Sequence, residues 1–218
     1  MGLETRRGQY RRALQLNPEY SVAHQWYANL LSTLGRHDEA VTEAAEGRRL
    51  EPLSVGPSGF VGFTLYRARR FDEALREGRR TLEIHKNAPV AAWFLAHMLL
   101  ETGSLAEAEE CLMRALDLAP KSAMHLALLA FVRGRAGRKA EAQEVVRKLE
   151  ETSLARYISP IDLATAHLGS GEKAQAVRHF KRAIAERVMR VTELPMPMFD
   201  ELREDRDLAE FCERFRWE

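Results

Sequence analysis

Five alanines recur at a fixed interval: Ala40, Ala74, Ala108, Ala142 and Ala176 stand 34 residues apart. A second small residue precedes each of them by twelve, at Ala28, Gly62, Ala96, Ala130 and Ala164. Gly35, Gly103, Gly137 and Gly171 keep the same step, with Arg69 in the one slot that lacks glycine. Pro18, Pro52 and Pro120 punctuate the end of the unit, where Lys86, Leu154 and Val188 fill the remaining slots. A period of this length marks one supersecondary unit that cannot bury its apolar face alone and must stack on its neighbours.

Each marker has a physical reason. Small residues at the eighth and twentieth positions let two helices cross closely. Glycine at the fifteenth supplies the left-handed backbone that ends a first helix. Proline near the thirty-second cannot continue the second helix. The markers place first helices near 21–34, 55–68, 89–102, 123–136 and 157–170, and second helices near 37–50, 71–85, 105–118, 139–151 and 173–187. SLAE, from Ser104 to Glu107, reads as a capping box. Tyr10, Ala13 and Pro18 fall in register as a lone second helix over 3–16, so the chain is expected to begin inside a repeat, as a fragment of a longer protein. The fold class is all-α: a right-handed superhelical stack of helical hairpins, an α-solenoid, with a C-terminal capping helix. The solenoid is assigned to 1–190, as a half repeat 1–20 and repeats 21–54, 55–88, 89–122, 123–156 and 157–190. An extended segment and the capping helix take 191–218.

Composition removes several functions. Lys and Arg total 33 and Asp and Glu 32, so no global field attracts nucleic acid or anionic lipid. No apolar run approaches the ~18 residues that cross a bilayer, and the N-terminus has no signal-peptide core. A cytoplasmic location is expected, or a periplasmic one if the parent protein carries an upstream transmembrane helix. Cys111 and Cys212 form no CxxC pair, which points to neither zinc nor a thioredoxin-like site. The seven histidines scatter over different units without HxxH or HExxH spacing. His97 and Glu101 lie one helical turn apart, a fragment of a metal shell that reads as an ordinary polar contact. GxSxG, Walker A and GxGxxG motifs are missing, and GPSGFVG (Gly56 to Gly62) has neither a strand before it nor GK[ST] after it. No catalytic, cofactor or metal residue is assigned, and the chain is read as a non-enzyme. The arginine clusters around Arg69, Arg79 and Arg135 are interleaved with glutamates at helical spacing, as on a solvated face.

The period and its markers resemble the tetratricopeptide repeat over residues 1–190. VAHQWYANLLSTLGRHDEAV (Val22 to Val41), LYRARRFDEALREGRRTLEI (Leu65 to Ile84) and RYISPIDLATAHLGSGEKAQA (Arg156 to Ala176) also resemble the C-terminal repeat region of a bacterial family. In that family such repeats follow a winged-helix DNA-binding, adenylate-cyclase-like or kinase domain. The ending MPMFDELREDRDLAEFCERF is similar to the family's terminal segment, but Glu201 and Arg206 stand where prolines are expected. The resemblance implies a protein-interaction scaffold in a regulatory protein. Two further readings stay open: the sensory arm of an enzyme or transcription regulator whose effector domain lies elsewhere, and a self-assembling structural solenoid.

In this architecture the first helices line a concave face, with positions 2, 5, 9, 12 and 13 of each unit turned into it. That register supplies the candidate partner-binding groove: Asn29, Phe63, Tyr66, Arg67, Trp93, His97, Glu101, Phe131 and Arg135. Phe63, Tyr66, Trp93 and Phe131 have the composition of an interaction hot spot, and the alternative is that the same rings pack as core. Gly56 and Gly59 are expected to leave room beside them. Co-chaperones of this fold that grip acidic C-terminal tails share a lysine–asparagine clamp. Asn29 matches it, whereas Gln25, Gly59, Phe63 and Val90 fill the other slots, which excludes that role. The expected partner is a protein or peptide, with no nucleic acid and no membrane.

The two ends carry their own expectations. Leu3, Tyr10, Ala13 and Leu14 are placed where a preceding helix would lie, predicting weak self-association through the half repeat. LPMPMF (Leu194 to Phe199) is expected to run extended across a surface. Asp205 then caps a helix whose Leu208, Phe211, Cys212 and Phe215 cover the flank of the last repeat at Phe180, Ile184 and Val188.

Overall fold

A computed structural model describes residues 3–213; Phe215 and the side chain of Leu3 lie outside the described residues. After α1 (Leu3–Leu16) come five hairpins: α2 (Ser21–Thr33) with α3 (His37–Leu50), α4 (Val55–Arg67) with α5 (Phe71–Ile84), α6 (Pro89–Glu101) with α7 (Leu105–Leu118), α8 (Ala123–Arg135) with α9 (Lys139–Ala155), and α10 (Pro160–Ser170) with α11 (Lys173–Ala185). Two 3₁₀ helices, Met189–Glu193 and Pro197–Glu204, and a last helix α12 (Arg206–Glu213) complete the described chain. First helices touch their counterparts in neighbouring units, while second helices pack chiefly on the first helices to either side. The result is a curved solenoid with the first helices on its inner side.

The periodic residues do what their chemistry demands. Ala28, Ala40, Ala74, Ala96, Ala108, Ala130, Ala142, Ala164 and Ala176 are all 0% exposed, at the helix crossings. Gly35, Gly103, Gly137 and Gly171 have φ of +76°, +76°, +79° and +87°. In each turn the next amide reaches back five residues, as in Arg36 N–H to the Leu31 carbonyl (2.9 Å) and Glu172 N–H to the His167 carbonyl (2.8 Å), which caps orphan carbonyls. Arg69 adopts the same geometry at φ +60°, a conformation that costs a side-chain-bearing residue about 1–2 kcal/mol.

Five expectations need correction. The capping box does not form: Ser104 makes no side-chain cap, and the Glu107 carboxylate pairs instead with Arg79 at 2.8 Å. α9 runs on to Ala155 because Leu154 occupies the proline slot, and α10 starts late, at Pro160. Proline suits a first helical position and disfavours helix in the residue before it, and the Ser159 hydroxyl caps the Ile161 amide at 3.3 Å. Gly59 leaves no room, since the Phe94 ring lies 2.2 Å from where its Cβ would stand, and the Gln25 amide crowds Gly56 at 3.0 Å. The apolar side of α1 is turned inward: Tyr10 stacks on Tyr27 with ring centroids 5.9 Å apart, and Leu14 joins the same small cluster, leaving Arg6, Arg11 and Arg12 exposed. Residues 194–199 are not one extended run: 194–196 join two 3₁₀ helices, and Pro197, Met198 and Phe199 open the second of them.

One close approach shapes the inner face. A Cβ on Gly134 would lie 1.6 Å from the Gly169 carbonyl oxygen, and one on Gly169 would lie 2.3 Å from the Phe131 Cα. α8 and α10 therefore touch backbone to backbone, which tightens the curvature between the fourth and fifth units.

Candidate functional site

The proposed groove residues split into two groups. Phe63, Tyr66, Arg67, Trp93, His97 and Phe131 are buried, Asn29 and Glu101 are half-buried, and Arg135 is exposed. Phe63 is the hub of a ring cluster, with centroids 5.5 Å from Trp93, 5.6 Å from Phe94, 5.9 Å from His97 and 6.0 Å from Tyr66. Helical spacing brings Trp93 and His97 to 4.2 Å. Phe131 stands apart, its backbone against α10 at the glycine crossing. The aromatic stripe is thus core between first helices.

His97 illustrates how dry this core is. Its Nδ1 lies 2.8 Å from the Trp93 carbonyl and therefore donates. Burial drives its pKa down to about 3, the Trp93 contact opposing and Arg190 and His125 adding to the fall. The imidazole is neutral and committed to its own helix, and it does not form the pair with Glu101 that the spacing allowed. Burial also raises the Glu101 pKa, with Asp200 adding and Arg135 and Arg69 opposing. Among the described residues no cluster of three or more metal-binding side chains occurs.

The groove is filled by the chain's own C-terminal segment. Arg67, at the end of α4, donates from Nη2 to the Thr192 backbone carbonyl at 2.8 Å and to the Thr33 hydroxyl at 3.0 Å, and from Nη1 to the Asn29 side chain at 2.8 Å. Arg190 pairs with Asp162 of α10 at 2.5 Å and with Glu193 at 2.7 Å. Burial works against that guanidinium's charge, but Glu193 and Asp162 outweigh it and hold its pKa above the ordinary value. Arg69 grips both Asp200 oxygens at 2.7 Å, which offsets the strained turn that presents it. Leu194, Met196 and Leu202 are 0% exposed and Phe199 is 1% exposed; Phe199 meets Phe180 edge-on at 5.0 Å.

The segment therefore ties the fifth unit back to the first and second. It also reaches the flank expected of it: Leu208 is fully buried, Asp205 accepts from the Asp207 and Leu208 amides, and Lys181 pairs with Asp205 and Asp207 at 3.1 and 2.7 Å. Thr33 stands at the thirteenth, inward position of its unit, whereas Asp162, Arg190, Thr192 and Glu193 occupy no inward position of the register. The available signal was two prolines among apolar residues, which announces burial without saying where.

Two family models for the tetratricopeptide repeat match the sequence, over residues 9–42 and 65–131. The fold matches a tetratricopeptide repeat protein from Parabacteroides merdae with a TM-score of 0.66 at 17% identity, covering 90% of this chain and 77% of that one. A thermophilic protein of the same repeat type from Thermus thermophilus gives 0.61 at 17% identity, covering 89% and 98%. MamA from Desulfovibrio magneticus gives 0.56 at 18% identity, covering 72% and 88%. No curated protein matches at a significant level. At such identities the likeness is one of fold.

Proposed function

We propose that this tetratricopeptide-repeat solenoid is a non-catalytic binding module whose inner groove takes a peptide or partner segment, and that residues 189–204 hold the groove until a partner displaces them. One observation carries the reading: a stretch of polypeptide already lies there, gripped as a peptide ligand would be. Arg67 donates to a main-chain carbonyl, a contact that any peptide can satisfy, while the buried side chains of Leu194 and Met196 supply the apolar anchors. Anchors plus main-chain bonds are how grooves hold peptides. Asn29, Tyr66, Arg67 and Glu101 are the groove residues that would face an incoming ligand, with Phe63, Trp93, His97 and Phe131 as the rigid floor and Arg135 at the rim. The regulatory setting rests on the resemblance of the repeats and of the terminal segment to those that follow winged-helix, cyclase-like or kinase domains; in that setting the effector lies elsewhere in the parent protein.

The test is a chain ending at Val188, compared with the full chain for binding of a labelled peptide of residues 189–204. The shortened chain, shown to be helical and cooperatively melting, should bind the peptide with a dissociation constant in the micromolar range, and the full chain at least tenfold more weakly. A folded shortened chain that ignores the peptide would rule the groove out as a peptide site.

A further inference from the structure

A second site lies where the C-terminal segment meets the first two units. A cavity of about 160 Å³ is lined there by Ser32 and Thr33 of α2, His37 of α3, Arg67, Arg69 and Arg203, with Pro195 on the tail side. Its polar wall is unusually rich in unused hydrogen-bonding capacity. Ser32 is 2% exposed and its hydroxyl has no partner. Arg67 is 4% exposed, and its Nε is likewise unpartnered. His37 Nδ1 is a third such atom. Buried polar groups left without partners each cost about 1–3 kcal/mol, and three around one cavity point to a ligand that satisfies them.

The charge balance says which kind. The acceptors on Arg67 are a side-chain amide, a hydroxyl and a backbone carbonyl, all neutral. The nearby carboxylate of Glu193 is taken by Arg190. Asp200 serves both Arg69 and Arg203. Counting Arg190 and its two partners, four guanidiniums here face three carboxylates, Asp162, Glu193 and Asp200, so the region keeps an excess of positive charge, which is costly when buried. Burial lowers the Arg67 pKa to about 10 against the opposing pull of Glu193 and Tyr66. Burial also lowers the His37 pKa, with Arg67 and Arg69 adding and Asp38 opposing.

The geometry points to a binding site for a small tetrahedral oxyanion of the phosphate class, held by Arg67 Nε, the Ser32 hydroxyl and the guanidiniums of Arg69 and Arg203. Arginine forks and hydroxyls are the donors that recognise such anions. Because Arg203 and Pro195 belong to the C-terminal segment, the bound anion would bridge that segment to α2 and α4.

The experiment is calorimetric titration of the full chain with inorganic phosphate, ionic strength being held constant with chloride. Saturable binding at one site is expected. Arg67→Met removes three structural hydrogen bonds and is a poor test by itself, so Ser32→Ala is the deciding variant. That hydroxyl has no protein partner to lose, so the melting temperature should hold or rise while phosphate affinity falls about tenfold. Arg203→Gln should weaken binding by a similar factor. A second arm uses O-phosphoserine: tighter binding than phosphate assigns the anion to a phosphorylated side chain, and equal or weaker binding assigns it to the free ion. Either result supports the site. Heat indistinguishable from the chloride control, or affinity unmoved by both substitutions, overturns it.

Discussion

Arg190→Met isolates the contact that anchors the C-terminal segment to the solenoid. The guanidinium spans Asp162 and Glu193, whose side chains are only 8% and 12% exposed, while its own is 27% exposed. Removing it leaves two nearly dry carboxylates without a counter-ion, and breaking a buried pair in this way costs about 3–5 kcal/mol. The quarter exposure of Arg190 argues for the lower end, about 3 kcal/mol. For a chain of this size each kcal/mol lowers the melting temperature by about 2–4 °C, so the variant should melt roughly 6–12 °C below the parent. Asp162→Asn removes the charge that needs compensation and should cost less. Adding it to Arg190→Met should recover part of the loss, with a coupling of about 1–3 kcal/mol. Urea unfolding followed by circular dichroism measures the energies, and hydrogen exchange locates them: amides in 189–204 should open faster while α4 and α6 stay protected. A melt within about 2 °C of the parent, or a double variant no more stable than Arg190→Met, would refute the claim that this ion pair holds the segment.

Gly134→Ala should cost several kcal/mol or block folding, because its methyl would meet the Gly169 backbone at 1.6 Å, whereas Gly8→Ala, with open space around it, should be neutral or stabilising by up to about 1 kcal/mol; thermal melts distinguish them. Ser159→Ala should lose about 1 kcal/mol with the α10 cap, while Ser104→Ala, which loses no cap, should stay within about 0.5 kcal/mol. His97 and His179 have folded pKa values lowered to about 3 and about 4, in both cases chiefly by burial. Since the unfolded imidazole protonates near its ordinary 6.5, the stability of the neutral buried rings is complete above that value. It is lost as pH falls from there toward 4 and 3, so the free energy of unfolding should drop between pH 6.5 and 5. His97→Gln should flatten that slope, and a flat profile in the parent would contradict the burial of these rings.

The hairpins were legible in the sequence because their causes are local. A left-handed turn needs glycine within a residue or two, a helix crossing needs a small side chain, and a second helix stops at proline; these demands repeat every 34 residues whatever lies across the groove. Even the departures are local: Leu154 in the proline slot lets α9 run on, and Pro160 restarts the next helix. Register also assigns each unit a face, since position within a helix determines direction. What register cannot tell is whether that face meets water. The bond from Arg67 to the Thr192 carbonyl joins residues 125 apart, and neither carries a local signature of the other. It depends on how all the units between them stack, including the close backbone approach of α8 and α10 at Gly134 and Gly169. Gly59 shows the same limit on a smaller scale: a missing side chain read as space is filled by Phe94 from the next unit. Periodicity specifies each unit and its neighbour, but the occupancy of the groove depends on curvature accumulated over five units, and only the assembled tertiary structure sums it.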